Sequence, residues 1–255
     1  MGKILAIALN TFRESIRDRI FYSLIFFAIV LILFSIVLSN LTIGEPLKII
    51  KDFGLASISI VGTLIAIFVG IGMVYKEMER KTIFVILSKP LARWQFLVGK
   101  YCGLSLTILV EVVVMSILLF VLCSLYVSQL PWNLLYAVIP IFFEILLILA
   151  LAFLFSTFST AFLSGMFTLS IFIIGHFTRD LKSISETSED ALFKTFSNIM
   201  YYVLPNLEYL NFKTRVVHHL SITLSEVMLS LTYATIYTIT VLLVGIFIFQ
   251  RRDIN

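Results

Sequence analysis

Long apolar runs separated by short charged stretches make up most of this chain. Six runs come near or exceed the roughly 20 residues that a helix needs to cross a bilayer. They are Ile20 to Leu41, Phe53 to Tyr75, about Phe96 to Val127, Leu134 to Ser156, Ala161 to Thr178 and Val227 to Phe249. The third is overlong, so its first turns are expected at the membrane surface, with Lys100 snorkelling to the headgroups. Only Thr157 to Thr160 separates the fourth run from the fifth, which predicts a tight helical hairpin. Ahead of the first run, residues 3–19 are too polar and too short to span. Leu5, Ala8, Phe12 and Ile16 recur there at helical spacing, while Asn10, Arg13, Glu14 and Arg17 face the other way. That is the pattern of a helix lying in the interface. A signal peptide does not fit, because the charge follows the apolar stretch and no small-residue cleavage site appears. The expected fold class is an all-α integral membrane protein with six transmembrane helices in one domain, residues 1–255.

The stretch Lys76 to Lys100, KEMERKTIFVILSKPLARWQFLVGK, lies between two spans and holds six Lys/Arg and two Glu in 25 residues. Those charges must sit in water. A short helix is predicted to begin near Lys76, with Glu77 and Glu79 at its positive end and Pro90 ending it. Between them Ile83-Phe84-Val85-Ile86-Leu87 is continuously apolar. At 100° per residue these five go right round the axis, so neither lipid nor the bundle covers them all. Part of that surface should be met by another protein.

The one other long polar stretch is residues 179–226. Its middle places Leu192, Phe196, Ile199 and Val203 on one helical face, up to the breaker Pro205. Thr223-Leu-Ser-Glu226 reads as a capping box that opens the last span. The stretch suits either a receptor site or a lid over the bundle.

Composition fixes the class. The chain is 60% hydrophobic and 13% charged, with mean hydropathy +1.06, against about 25% charged in soluble domains. The lysines and arginines set an orientation. With the N-terminus cytoplasmic, that side collects Lys3, Arg13, Arg17, Arg19, the six of the central stretch, Arg251 and Arg252, twelve of nineteen. Lys48, Lys51, Arg179, Lys182, Lys194, Lys213 and Arg215 fall opposite, five of them in the long loop, which counts for less. Both termini are expected inside. A nucleic-acid partner is not indicated, since the basic residues flank membrane spans. Cys102 and Cys123 lie on one predicted helix about 30 Å apart, too far to pair within the chain.

The chemistry-bearing motifs are few. The sequence has no G-x-x-x-x-G-K-[ST], no H-E-x-x-H and no C-x-x-C, so no ATP site, metal site or catalytic residue is expected in this chain. Ser164 and His176 evoke a nucleophile and base. They lie about 18 Å apart along a single helix, out of hydrogen-bond reach. His218 and His219 are adjacent and point to different helical faces, which disfavours a shared metal. Glu111 and Glu144 sit mid-span, where a carboxylate is costly and marks a candidate site. Two readings fit them: a cation or polar-substrate path, or protonated interhelical hydrogen-bond glue. Pro140, one turn before Glu144, frees the Tyr136 carbonyl at similar depth. Gly62, Ala66 and Gly70 on the second span, and Gly99 and Gly103 opening the third, are small-residue ridges suited to close helix packing.

The pattern K-E-M-E-R-K-T-I-x3-L-S-K-P-L-A-R-x2-F-L-V-G-K resembles the cytoplasmic segment of ATP-binding-cassette permeases of the type-2 exporter class. The resemblance continues through T-F-R-E-x2-R-D-R at the start and K-D-F-G-L before span two. It includes the Glu144 to Ser159 run, Ile174-Gly175-His176, Pro205-Asn206-Leu207-Glu208 and the closing Phe249-x-Arg251-Arg252-Asp253. The branch most similar contains the permease used in maturing nitrous oxide reductase. The resemblance implies a six-helix half-transporter of the cell inner membrane. Residues 1–19 would be an elbow helix, and 76–93 a cytoplasmic coupling segment. Residues 179–226 would be an extracytoplasmic loop. Glu77, Glu79, Arg80, Ile83, Phe84, Val85 and Leu87 would dock a separate cytoplasmic ATPase, which would carry the ATP and magnesium. A second permease copy, giving a homodimer, would complete the path. The rival is a membrane anchor that translocates nothing.

Overall fold

The computed structural model describes residues 2–41, 45–79, 92–126, 131–187 and 191–251, with only the backbone described for 76–79, 179, 186, 187, 191, 193 and 196. Among them are nine α-helices and no strand. In chain order they are α1 (Gly2–Ile16), α2 (Arg19–Asn40), α3 (Pro46–Glu79), α4 (Arg93–Tyr126), α5 (Leu135–Ser156), α6 (Ala161–Thr187), α7 (Ala191–Val203), α8 (Lys213–Val217) and α9 (Leu224–Arg251). Six are long and apolar enough to cross a membrane: α2, α3, α4, α5, the 161–178 part of α6, and α9. Their bounds follow the hydrophobic pattern closely, because helix length in a bilayer is set by the apolar run itself.

Local chemistry explains the ends. Asp18 caps α2, its carboxylate accepting the Ile20 N–H at 2.9 Å. Pro46 opens α3 at a position where no N–H is needed, so that helix starts seven residues before the predicted span at Phe53. Glu226 Oε2 accepts the Thr223 N–H at 3.1 Å, the return half of a capping box at the start of α9.

The helices sort into inner and outer ones. Of the most apolar stretch, 78% is buried in α3 and 67% in α5, against 22% in α2, 22% in α6 and 17% in α9. The core therefore runs along α3 and α5, with α4 beside them. The α3 ridge makes this possible. A Cβ on Gly70 would stand 2.8 Å from Leu149 Cδ1, closer than side chains approach. Outer helices present apolar side chains such as Phe26 and Phe34 on α2, Phe162 and Met166 on α6, and Ile236 and Leu243 on α9.

One end of the bundle gathers both chain termini. α1 lies across the start of α4, and Ser15 Oγ reaches Met73 Sδ at 3.6 Å. Arg93 donates to the Phe249 and Gln250 carbonyls at 3.4 and 3.3 Å. The Phe96 and Phe249 rings stack with centroids 6.4 Å apart. The opposite end is covered by residues 204–223, where Leu207, Leu210, Phe212, Val216 and Val217 are buried.

Three expectations need correction. Lys76–Glu79 continue α3 and do not open a new helix, so Glu77 and Glu79 do not stand at the positive end of a helix that begins at Lys76. Lys100 does not snorkel: it is buried, with Nζ donating to the Met73 carbonyl at 3.4 Å and lying 5.6 Å from the Phe96 ring centre. His218 ends α8 and His219 has φ 54°, so the two are not successive helical positions.

Candidate functional site

α3 carries a one-sided ridge of small and polar residues one turn apart: Ser59, Gly62, Thr63, Ala66 and Gly70. Residues three and four apart on a helix are neighbours, so Ser59, Gly62 and Thr63 share a face. Both mid-span glutamates converge on it. Gly62 leaves room for two neighbours, since a Cβ there would meet Ile145 Cδ1 of α5 at 2.4 Å and Glu111 Oε2 of α4 at 3.3 Å. One residue before Ile145, Glu144 Oε1 accepts the Ser59 hydroxyl at 3.4 Å.

From the third side comes His176 of α6, whose Nε2 stands 3.4 Å from Glu144 Oε1. Its Nδ1 is 3.0 Å from the Phe172 carbonyl. A carbonyl only accepts, so Nδ1 carries a proton. Nε2 then faces the Glu144 carboxyl group. From the far end Lys213, the first residue of α8, donates to Ser59 Oγ at 2.9 Å. The result is a chain from Lys213 through Ser59 and Glu144 to His176, which joins α8, α3, α5 and α6.

These groups are deep. Glu111 and Glu144 have no exposed surface, and Ser59 has none. Glu144 lies nine residues beyond Leu135, about 14 Å from the α5 start at 1.5 Å per residue. Among the described residues, both Glu111 carboxyl oxygens, Glu144 Oε2 and Thr63 Oγ1 are buried without a hydrogen-bond partner. Buried polar atoms are ordinarily paired, and an unpaired one is costly. The cluster can hold a cation or a polar group, and it also bridges four helices.

The other predicted residues fall differently. Glu77 and Glu79 lie on the backbone of α3, with their side chains outside the described atoms. Arg80, Ile83, Phe84, Val85 and Leu87 lie outside the described residues. Ser164 bonds the Ser159 hydroxyl at 2.8 Å while His176 turns to Glu144, so the two form no nucleophile–base pair. Among the described residues no three His, Cys, Asp or Glu come together as a metal site. Ser59 and Lys213 were not picked out by sequence reasoning, and His176 only as a base. Ser59 carried a signal, since it extends the Gly62–Ala66–Gly70 ridge by one turn. Lys213 carried none.

Above the cluster lies a cleft of about 690 Å³ lined by Asn206, Glu208, Asn211, Arg215, Glu226 and Tyr233 among others. Arg215 pairs with Glu226 at 3.0 Å there. Its wall is joined to α6 through Gly175, where a Cβ would come within 2.9 Å of the Pro205 carbonyl. The Ile174-Gly175-His176 and Pro205-Asn206-Leu207-Glu208 motifs thus pack on one another.

A six-span bundle with its termini at one end and a polar core is what a permease requires, and a family model for ABC-2 family transporter proteins matches residues 5–254. The chain belongs to that family. It is a multi-pass membrane protein and a permease subunit of an ABC transporter. No curated protein matches the chain. As an ABC-2 permease it has a membrane role, and the buried cluster stands where helices α3, α4, α5 and α6 of that permease meet.

Proposed function

We propose that this ABC-2 permease is half of an exporter whose two copies form the path and whose cytoplasmic segment docks a separate ATPase. The observation that carries it is the gathering at one bundle end of α1, the end of α3, the start of α4 and the end of α9, the end rich in Lys and Arg. On the positive-inside rule that end is cytoplasmic. It carries the Glu79-to-Arg93 connection, whose apolar run matches the coupling segment of the resembled permeases. ATP-driven closure of the ATPases would move that segment and switch the bundle as a rigid body. The outward apolar faces of α2, α6 and α9 supply surface for lipid and for a second copy. The likeness to the nitrous oxide reductase maturation branch rests on the sequence motifs alone.

Single changes to Asp along residues 83–87 test the docking. Those facing the partner are expected to leave the permease expressed but unable to retain its ATPase in co-purification. Burying each apolar side chain contributes roughly 1.5–3 kcal/mol, enough to weaken retention more than tenfold. If every well-expressed variant still retains the ATPase, the segment is not the docking element. Cargo-stimulated ATP hydrolysis in proteoliposomes separates a transporter from a passive anchor.

A further inference from the structure

The charged chain at the core has an unusual member. Lys213 belongs to α8, a five-residue helix of the far-end cover, held down by the buried side chains of Phe212, Val216 and Val217. Its partner two positions on, Arg215, turns outward to Glu226 and to the Ser221 carbonyl. Lys213 instead reaches inward, and its ammonium donates to Ser59 Oγ at 2.9 Å. Ser59 then donates to Glu144 Oε1. A hydroxyl that accepts from a cation and donates to a carboxylate is polarised from both sides, so the ammonium and Glu144 are coupled through it. Glu144 Oε2 has no hydrogen-bond partner among the described residues.

We propose that Ser59 and Glu144, with His176 behind them, form a binding site for a compact ammonium-class cation, and that Lys213 fills this site from within the chain. The chain's own lysine is thus a tethered occupant carried on the cover. An entering cation of this class and Lys213 compete for the same hydroxyl and carboxylate. The site takes a primary ammonium, which, like the Lys213 side chain, offers N–H donors to Ser59. It rejects a quaternary ammonium, which offers none. This deepens the permease reading by naming the chemistry of one station on its path, and it rests on that reading for its physiological role. Binding itself does not depend on it.

The test uses the full-length chain in lipid nanodiscs, with methylammonium chloride as probe and tetramethylammonium chloride at equal ionic strength as control. The readout is the thermal unfolding midpoint. Lys213→Ala is expected to lower the midpoint by roughly 3–8 °C. Methylammonium should restore at least half of the loss, and tetramethylammonium should not. The unmodified chain, already filled, should not respond to methylammonium. In Lys213→Ala with Ser59→Ala the rescue should vanish. If Lys213→Ala does not express, Lys213→Met keeps the apolar stem and is judged by the same rescue. Equal rescue by both salts, an equal response of the unmodified chain, or full stability of the lysine variants would overturn the proposal. None of these readings involves the ATPase, so failure here leaves the permease reading standing, and loss of ATPase retention leaves this site untouched.

Discussion

At the scale of single residues, Glu144 shows how one carboxyl group serves several helices. Its Oε1 meets Ser59 of α3 and His176 of α6, so truncation strands partners on both. Glu144→Ala is expected to destabilise the permease by about 2–5 kcal/mol, as stranding two buried polar groups does. Glu144→Gln keeps shape and an acceptor for the Ser59 hydroxyl, so its cost should stay below about 1.5 kcal/mol. Denaturation of the two variants side by side checks this. Equal costs would mean that the hydrogen bonds to Ser59 and His176 are not what holds the cluster. That these two carboxyl groups are special was legible from the sequence, because charge in a run of hydrocarbon residues is anomalous wherever it points. Which groups they meet was not.

At the scale of elements, the seam between α1 and α4 has no room to spare. A Cβ on Gly103 would stand 2.5 Å from the Ala8 carbonyl and 2.7 Å from Thr11 Cβ. Backbone cannot give way as a flexible side chain does. Gly103→Ala should therefore cost about 1–3 kcal/mol, the usual range for overpacking, and loosen α1. Proteolysis within residues 2–16 would report the loosening. Gly72 is the control, because nothing lies within 4 Å of a Cβ there. Gly72→Ala should stabilise α3 by about 0.5–1 kcal/mol through helix propensity. If both changes act alike, the seam is not a close contact. The small-residue spacing at Gly99 and Gly103 announced a tight helix contact. Its partner, the amphipathic N-terminal helix, was not announced, since the residues that α1 buries, Ala8, Thr11 and Ser15, are small or polar and form no apolar stripe.

At the scale of the whole molecule, the arrangement makes one prediction about sidedness. Cysteines placed at Ser88 and at Thr195, which is exposed on α7, should react with an impermeant thiol reagent from opposite sides of the membrane. Labelling from the same side would mean an odd number of crossings between them has been miscounted. The six spans, the N-terminal helix and the hairpin at 157–160 were determined by the sequence alone. Hydrophobic length and helical period are properties of a line of residues, and the bilayer reads them directly. The joining of Lys213, Ser59, Glu144 and His176 was decided only by the tertiary structure. These residues are far apart in the chain, and their meeting depends on how α3 and α5 interlock at Gly62 and on how the far-end cover folds inward. No period along the chain encodes those contacts.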